Sequence, residues 1–400
     1  MTSRTILFIL IFPLLALVYS CTTTAVPDTP QAQAATAIET AKPPVPETQE
    51  LLLTFAGDIM AHSVNFQMDD YSLIYADIAD ILHSDDLSFA NMETPVHTER
   101  PYESYPTFNV QAPYAAAAIE AGFDVFSLAN NHSNDQDAQG IDSTARFFAS
   151  QPVYAAGIRS TNESGLSYQL IEKDGWTILF AAVTEILNST HDIERLDYIP
   201  PTQESRERFR AELAALRAAH PCDLFILSLH TNEAEYVPDI QPERRQYYYS
   251  LLDSGVDIVW ANHPHIAKEW EVVADAQTGT PNKLVMYALG NTISGQRTNP
   301  NFQNPAASRD YTGDGYLIQA RFIKRAASSE HGLAELPPML VQTEPILITT
   351  YITPERHYVI RKLNEAFIAE LYDEQLAEYA QYFSARMKLM HNIGEKHICR

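Results

Sequence analysis

Cysteine is scarce in this chain of 400 residues, which contains only Cys21, Cys222 and Cys399. The three lie far apart and none forms a Cys-x-x-Cys pair, which argues against a disulfide framework and against a structural zinc-thiolate site. Cys222 precedes a strand-like apolar run and fits the role of a small buried apolar residue. Cys21 has a different setting, at the end of an apolar N-terminal segment.

Basic residues are also in short supply. The chain has 27 Lys and Arg against 51 Asp and Glu, which gives a formal net charge of −24. Nucleic-acid binding needs clustered cations that neutralise phosphates, so this balance argues against nucleic acid as a partner. It also argues against adhesion to anionic lipid through a basic surface. Hydrophobic residues make up 46% and charged residues 20%, which is ordinary for a globular protein.

Long hydrophobic runs are absent beyond the N-terminus. Arg4 precedes an apolar run from Ile6 to Tyr19, which is shorter than the roughly 20 residues of a membrane span and suits a secretory signal. The run ends at Val18-Tyr19-Ser20-Cys21, which resembles a bacterial lipobox. We therefore expect residues 1–21 to be a lipoprotein signal peptide, with Cys21 carrying the lipid that anchors an exported protein to the membrane. An ordinary signal peptide with a chance cysteine is the alternative.

Residues 22–49 lack large apolar side chains and are rich in Thr, Ala, Pro and Gln. Such a segment buries too little surface to offset its chain entropy, so it is predicted to be a disordered tether. A tether of this kind would let the following domain stand away from the membrane.

From Leu51 onward, short apolar runs alternate with helix-like stretches, which predicts an α/β sheet. The predicted strands are Leu51–Ala56, Leu87–Ala90, Asp124–Leu128, Leu224–Leu229, Ile258–Trp260 and Leu284–Leu289. The predicted helices are Ser72–Leu82, Pro113–Ala121, Ile141–Ser150, Thr202–Ala219 and Pro242–Ser254. We place the main domain at residues 50–325. Residues 326–400 are expected to form a strand and helical extension that packs on it, with an accessory or oligomer surface as the alternative.

Polar residues follow directly after most of these predicted strands. Ligands of α/β sheets bind beyond the carboxyl ends of the strands, so these clusters are expected to meet at one edge. They consist of Asp, Glu, Asn and His, which suit borderline divalent metals such as Mn²⁺, Zn²⁺ or Fe²⁺. Cysteine is missing from the set. The pattern therefore predicts an open, hydrolytic site for two divalent metal ions.

Six motifs appear in the order seen in the CapA family of capsule and poly-γ-glutamate synthesis proteins, which the chain resembles from Leu51 to Phe322. They are GDIM (57–60), NMETP (91–95), LANNHSND (128–135), SLHTNEAEY (228–236), ANHPHI (261–266) and YALGN (287–291). That family is similar to the calcineurin-like metallophosphatases. The resemblance implies a four-layer αββα sandwich with a helical C-terminal extension.

The resemblance also implies roles for single residues. One metal ion would be bound by Asp58 and His265, and His62 is a further candidate ligand there. The second ion would be bound by Asn131, His230 and His263. Glu93 would bridge the two ions. His132 would act as a catalytic acid or as a hydrogen-bond donor to the substrate, and Asp135 would orient His132 or a ligand histidine. The substrate pocket would include Asn130, Asn291, Thr231 and Asn232.

Three functions are compatible with these features. The first is a dinuclear-metal hydrolase or transferase that acts on poly-γ-glutamate or a related capsule polymer. The second is a phosphatase or phosphodiesterase, and the third is a non-catalytic, metal-stabilised scaffold in the envelope. The expected partners are an anionic envelope polymer or a small phospho or γ-glutamyl substrate, the membrane through Cys21, and a polymer-synthesis complex.

Overall fold

The computed structural model describes residues 48–159, 165–329, 332–335 and 337–400. The predicted signal peptide, the lipid site at Cys21 and the tether up to residue 47 lie outside the described residues. The last two residues of the predicted tether, Thr48 and Gln49, belong to the first strand.

Within the described residues, sixteen strands and nine α-helices form. The strands are β1 (Thr48–Ile59), β2 (Leu87–Met92), β3 (Val125–Ser127), β4 (Tyr154–Ala156), β5 (Tyr168–Lys173), β6 (Trp176–Thr184), β7 (Leu224–His230), β8 (Ile258–Asn262), β9 (Trp270–Ala274), β10 (Pro281–Met286), β11 (Asn291–Ile293), β12 (Asp314–Ser329), β13 (Gly332–Glu335), β14 (Met339–Ile352), β15 (Tyr358–Lys362) and β16 (Glu395–Cys399). The helices are α1 (Ser63–Phe66), α2 (Ser72–Tyr75), α3 (Ala79–Leu82), α4 (Ala112–Glu120), α5 (Asp137–Ala149), α6 (Gln203–Ala219), α7 (Pro242–Asp253), α8 (Glu365–Asp373) and α9 (Ala377–Met390).

The strands form two mixed sheets. The first runs in the order β15-β14-β12-β1-β2-β3-β4, with β11 paired to β1 and β13 paired to β12. The second runs in the order β16-β9-β10-β8-β7-β6-β5. Strands β1 to β4 are parallel in the first sheet, and β6, β7, β8 and β10 are parallel in the second. Parallel neighbours bring their carboxyl ends to one edge, which is what a site built from strand ends requires.

Aromatic side chains fill the space between the two sheets. Phe89 of the first sheet stacks on Phe55 at a centroid distance of 4.7 Å and meets Phe180 of the second sheet at 5.9 Å. The Trp260 indole N–H of the second sheet donates a hydrogen bond of 2.9 Å to the Ala56 carbonyl oxygen of the first. The Trp260 bond matters because a buried indole N–H costs free energy unless it finds an acceptor.

Helices cover the outer faces of both sheets. Helices α4 and α5 bury Tyr114 and Phe148 against the first sheet, and α6 and α7 bury Phe209 and Tyr248 against the second. Pro at the start of α4 and α7 supplies a preset φ where no intrahelical N–H bond is lost. Two sheets with helices on either side make the predicted αββα arrangement, so the predicted fold class is confirmed.

The last 75 residues contribute to both sheets. Strand β14 pairs with β12, which itself crosses the predicted boundary at residue 325, and β16 forms an edge of the second sheet. Helices α8 and α9 pack Phe367 and Phe383 against Tyr351 of β14. Tyr, Phe and Leu recur every three or four residues over Glu355–Met390, which predicts helix, but β15 occupies the first part of this range. The position of the boundary itself stays a prediction.

No helix among the described residues combines the length and the apolar character that crossing a membrane requires.

Candidate metal centre

Ends of strands from both sheets meet at one edge of the sandwich. The first sheet contributes Asp58 at the end of β1, Glu93 just after β2 and Asn131 after β3. The second contributes His230 at the end of β7 and the pair His263 and His265 after β8. All six side chains are at least 96% buried. The structure therefore brings together the six residues that the sequence motifs predicted to converge.

Two glycines allow β1 and β11 to approach closely at this edge. A Cβ atom on Gly57 would lie 1.8 Å from the Gly290 carbonyl oxygen, which accepts a 3.1 Å hydrogen bond from the Asp58 N–H. Gly290 has a φ of +77°, a conformation that other residues rarely adopt. Each glycine directly precedes a site residue, so the pair sets Asp58 beside Asn291.

The turn after β8 is strained. His263 and His265 have φ values of 104° and 57°, and Tyr236, on the loop beside them, has a φ of 64°. Such conformations cost non-glycine residues of order 1–3 kcal/mol each and persist where the surroundings enforce them. The strain turns His265 toward the first sheet, where its Nδ1 lies 3.1 Å from Asp58 Oδ2 and 3.1 Å from Asn291 Oδ1.

Glu93 lies at the centre of the cluster. Its carboxylate belongs to two groups of potential metal ligands, one with His263 and His265 and the other with Asp58 and His230. Glu93 Oε1 is 3.6 Å from His230 Nε2 and 3.7 Å from His265 Nε2, distances that exceed a hydrogen bond. The carboxylate and the two imidazoles thus face one another without bonding directly.

The electrostatics of the cluster favour uncharged side chains. Burial, and then the nearby Asp58, raises the pKa of Glu93 well above its usual range. Burial, and then the neighbouring histidines, lowers the pKa of His230 well below its usual range and lowers the pKa of His263 to about 4. No Lys or Arg lies within ion-pair distance of Asp58 or Glu93 among the described residues.

Three buried acceptor atoms of the cluster, Glu93 Oε1, His263 Nδ1 and Asn91 Oδ1, have no hydrogen-bond partner within the described part of the chain. A buried polar atom without a partner costs about 1–3 kcal/mol, so an unmet acceptor calls for an explanation. Carboxylate oxygens and neutral imidazole nitrogens are ligands that Mn²⁺, Zn²⁺ and Fe²⁺ accept. The potential ligand atoms of the cluster, including those without a hydrogen-bond partner, therefore fit divalent cations.

Asn91 is a central residue that the sequence reasoning missed. Its Nδ2 lies 2.8 Å from Asp58 Oδ1, 3.3 Å from Glu93 Oε2 and 3.4 Å from His230 Nδ1. The signal was available, since Asn91 precedes Glu93 by two positions and alternate residues of a strand share a face. Asn91 thus ties the two carboxylates of the first sheet together.

His132 and Asp135 form a pair at the side of the cluster. His132 Nδ1 is 2.6 Å from Asp135 Oδ2, which also accepts a 2.8 Å hydrogen bond from the Phe108 N–H. The His132 ring packs edge-on against the Phe108 ring at a centroid distance of 4.6 Å. These contacts fix the orientation of the imidazole and place a proton on Nδ1. Asn188 Nδ2 lies 3.4 Å from the other ring nitrogen, Nε2.

His62 lies apart from the two ligand groups. Its Nδ1 accepts a 3.1 Å hydrogen bond from the Gly295 N–H, and its ring stands edge-on to Phe108 at 5.1 Å. Burial, and then His265, lowers the pKa of His62 to about 4. Its role as a ligand stays a prediction, and the contact with Gly295 engages one of its two nitrogens.

The residues predicted to line a substrate pocket fall into two groups. Asn291 contacts His265 directly, as described above. Asn130 turns inward, because its Oδ1 accepts from the His132 N–H and its Nδ2 donates to the Met92 carbonyl oxygen. Thr231 and Asn232 instead accept hydrogen bonds from Arg244. Asn232 also accepts a 3.3 Å bond from Arg206 of α6, so these side-chain partners lie on helices α6 and α7.

A different set of side chains forms the rim beside His265. Tyr236 lies with its ring 6.3 Å from the His265 ring, and Gln296 Nε2 donates a 3.3 Å hydrogen bond to the Tyr236 hydroxyl. Arg309 places its guanidinium 5.1 Å from the centre of the Tyr236 ring. Gln296 and Arg309 lie outside all six motifs, which is why the sequence analysis did not identify them.

Solved structures resemble this chain at low sequence identity. A hypothetical protein from Thermus thermophilus matches with a TM-score of 0.42 and 16% identity, covering 74% of this chain and 98% of that one. The calcineurin-like phosphoesterase YfkN from Bacillus subtilis matches with a TM-score of 0.40 and 9% identity, covering 84% of this chain and 100% of that one.

Sequence comparison gives closer matches. The capsule biosynthesis protein CapA of Bacillus anthracis is 24% identical over 270 residues, which are 62% of this chain and 61% of the relative. The PGA biosynthesis protein CapA of Bacillus subtilis (strain 168) is 26% identical over 266 residues, 62% of this chain and 64% of the relative. The chain thus spans about three fifths of the length of these curated relatives. Residues 52–296 match the bacterial capsule synthesis protein family PGA_cap, and the chain therefore belongs to that family.

Proposed function

We propose that this protein is a hydrolase dependent on two divalent metal ions that cleaves, or transfers, amide bonds of a γ-linked glutamate polymer in the cell envelope. The observation that carries the proposal is the position of Glu93, whose carboxylate is shared by two groups of potential ligands. A shared carboxylate is the usual means of holding two ions close together in hydrolytic sites.

The described residues divide between two proposed ion sites. Asp58 and His265 would hold one ion, and Asn131, His230 and His263 would hold the other, with Glu93 common to both. Two contacts agree with this division, since His265 Nδ1 lies 3.1 Å from Asp58 Oδ2 and His230 Nε2 lies 2.7 Å from Asn131 Oδ1. The two groups that share Glu93 combine the residues differently, with His263 beside His265 in one and Asp58 beside His230 in the other. Divalent ions bound there would supply Lewis-acid polarisation and an acidified water. Mn²⁺, Zn²⁺ and Fe²⁺ all suit the donor set.

His132 is proposed as the residue that handles a proton. Asp135 and the edge of Phe108 hold its ring, so that Nδ1 carries a hydrogen, and Asn188 Nδ2 lies 3.4 Å from Nε2. At Nε2 the imidazole can accept a proton from an attacking water or, once protonated, give it to the leaving nitrogen. Asp135 would hold the imidazole in one orientation and one tautomer through its bond to Nδ1.

The substrate class comes from the relatives. Both curated relatives carry CapA names, one for capsule biosynthesis and the other for PGA biosynthesis. We propose the same setting here: an exported lipoprotein held at the membrane through Cys21, acting on an anionic polymer with a polymer-synthesis complex as its partner. A Cys21→Ala variant should leave the membrane fraction and lose its lipid label, and retention with no label would contradict the anchor.

The reaction is tested with the full chain reconstituted with Mn²⁺ or Zn²⁺. We expect cleavage of γ-linked glutamate oligomers, followed as released amine, and loss of cleavage in Asp58→Asn and His230→Ala. Arg208→Met on the outer surface of α6 serves as the control. Cleavage of a phosphodiester such as bis(p-nitrophenyl) phosphate, with no action on the oligomers, would assign the site to a phosphodiesterase instead. No turnover of either substrate by a metal-replete protein would favour a scaffold.

A further inference from the structure

The loop after β7 lies beside the turn that carries His263 and His265. Within it, the Tyr236 N–H donates a 3.0 Å hydrogen bond to the Pro264 carbonyl oxygen, between His263 and His265. The bond ties the loop to the turn that carries both histidines, and the left-handed conformation of Tyr236 turns its side chain toward the His265 ring. Tyr236 is partly exposed, so its ring lies between the buried cluster and solvent.

Arg309 is held against this ring by a chain of contacts that leads back to the cluster. Its Nε donates a 3.0 Å hydrogen bond to the Gln296 carbonyl oxygen, and the Gln296 side chain accepts a 3.0 Å bond from Asn291 Nδ2. Asn291 in turn contacts His265. A guanidinium over a tyrosine face gains cation–π attraction and loses side-chain freedom. Arg309 is therefore an oriented cation at a fixed place relative to the proposed ligands.

Glu235 also contacts the Tyr236 side chain, but no ion pair within the described part of the chain joins it to Arg309. Among the described residues no carboxylate lies within ion-pair distance of Arg309, whereas Arg244 and Arg297, which also lie near the edge, are paired with Glu185 and Asp314. Arg309 is also exposed, unlike those two. Arg presents a planar fork of donors that matches a carboxylate in two places at once. An exposed, oriented and unpaired guanidinium beside the proposed metal centre is suited to bind an anionic group of the substrate.

We propose that Arg309, stacked on Tyr236, forms a subsite for a carboxylate of the substrate next to the metal centre and thereby selects acidic chains such as γ-linked glutamate. The inference rests on the proposed function, because the reacting bond is taken to lie at the metals. Each unit of a γ-linked chain keeps a free α-carboxylate close to its amide bond. The subsite would place that carboxylate on Arg309 while the amide faces the cluster.

The subsite also answers an electrostatic difficulty. A protein with a net charge of −24 repels a polyanion at long range, but salt screens that repulsion beyond about 8 Å at physiological ionic strength. Local charges then decide binding. Glu235 precedes Tyr236 on the same loop, is exposed, and opposes Arg309 in sign. The two residues should therefore change the affinity for acidic ligands in opposite directions.

The test measures binding to the full chain reconstituted with Mn²⁺, by calorimetry. The probes are a γ-linked glutamate oligomer and the same oligomer with its α-carboxylates converted to carboxamides. Arg309→Met should weaken binding of the acidic oligomer by about tenfold to hundredfold, the range expected for a charge-assisted pair. It should leave the carboxamide probe and the metal content unchanged. Arg309→Lys should be intermediate, and Glu235→Gln should tighten binding of the acidic probe.

Arg208→Met is the matched control, since it removes the same charge from an exposed part of α6, and it should bind both probes as the wild type does. Equal affinity of wild type and Arg309→Met for the acidic oligomer would overturn the subsite, as would a wild type that binds neither probe. Binding that depends on Arg309 without any cleavage would uphold the subsite and reject the proposed reaction. Cleavage at the same rate in the wild type and in Arg309→Met would uphold the proposed reaction and reject the subsite.

Discussion

Two clusters of buried carboxylates in this protein are stabilised in opposite ways. Asp314 is fully buried and meets two guanidiniums, with Arg297 Nη1 at 2.8 Å and Arg386 Nη2 at 2.6 Å. Asp58 and Glu93 are buried to the same degree, and in the described part of the chain they have each other, amides and imidazoles around them and no Lys or Arg in an ion pair. Burial works against charge in both places. At Asp314 the two arginines outweigh the effect of burial and hold the pKa of the carboxyl group below its usual range.

The contrast separates a structural site from a functional one. Asp314 is neutralised by the chain itself, and its partners come from three separate parts of the chain: the loop after β11, β14 through Thr349, and α9. The pKa of Glu93 is raised by burial and by Asp58, and no side-chain cation offsets either effect. A buried carboxylate cluster without a cation from the described residues is suited to bind a metal ion from solution. The predictions below test this difference, beginning with the largest effect.

Loss of the Asp314 carboxylate should lower the free energy of unfolding more than any other substitution discussed below. The Asp314→Ala variant leaves two buried guanidiniums without their carboxylate, a change that typically costs about 3–5 kcal/mol. We expect the free energy of unfolding, measured in urea, to fall by that amount with or without metal. The exposed pair of Glu50 and Arg321 provides the control, since Glu50→Ala should cost at most about 1 kcal/mol. Equal losses in the two variants would contradict a structural role for the Asp314 cluster.

Metal should stabilise the wild type through Glu93. A ligand at 100 times its dissociation constant adds about 2.7 kcal/mol to the folded state. Mn²⁺ or Zn²⁺ should therefore raise the unfolding midpoint of the wild type, and a chelator should reverse the shift. Glu93→Gln should lose the shift while the metal-free variant unfolds no more easily than the metal-free wild type, because it removes a carboxyl group that burial disfavours. A shift that survives in Glu93→Gln would mean that the ions bind elsewhere.

Asn91→Ala should weaken metal binding about tenfold to hundredfold, the range seen when a residue that orients ligands is lost. Asn91 contacts Asp58, Glu93 and His230, so its removal frees three proposed ligands at once. The control is Asn65→Ala, a buried asparagine whose amide donates to Met60 O and Tyr114 Oη. Calorimetry with Mn²⁺ should separate the two variants. If both bind metal equally well, Asn91 has only a packing role.

Much of the fold could be predicted from the sequence because local sequence features, such as helix caps and prolines, agree with the final structure. The predicted helix Pro242–Ser254 corresponds to α7 at Pro242–Asp253, and Thr202–Ala219 corresponds to α6 at Gln203–Ala219. Proline at helix starts and a side-chain cap from Thr202 explain this agreement. The antiparallel half of the first sheet was less visible. Strands β12 and β14 pair over long stretches, and such pairing depends on distant partners.

The residues of the site also differ in whether the sequence alone predicted them. Strand-end motifs located Asp58, Glu93 and the three histidines, since parallel strands carry their ends to a common edge. The cluster around Asp314 was invisible, because Arg386 lies 72 residues away from it in sequence. The rim residue Arg309 was missed for a similar reason: nothing in its neighbourhood marks it until the fold sets it over Tyr236. Sequence motifs thus identified the proposed ligands, while their surroundings required the structure.

The most direct test of the account is the metal content of Glu93→Gln beside that of His62→Ala, by elemental analysis after reconstitution. Glu93 is shared by both ligand groups, whereas His62 lies outside them and bonds to Gly295. We predict two ions per chain in the wild type, a near-normal content in His62→Ala, and a clear loss in Glu93→Gln. A metal-free wild type, or a Glu93→Gln variant that keeps its full complement, would show that the cluster is a polar pocket and not a metal centre.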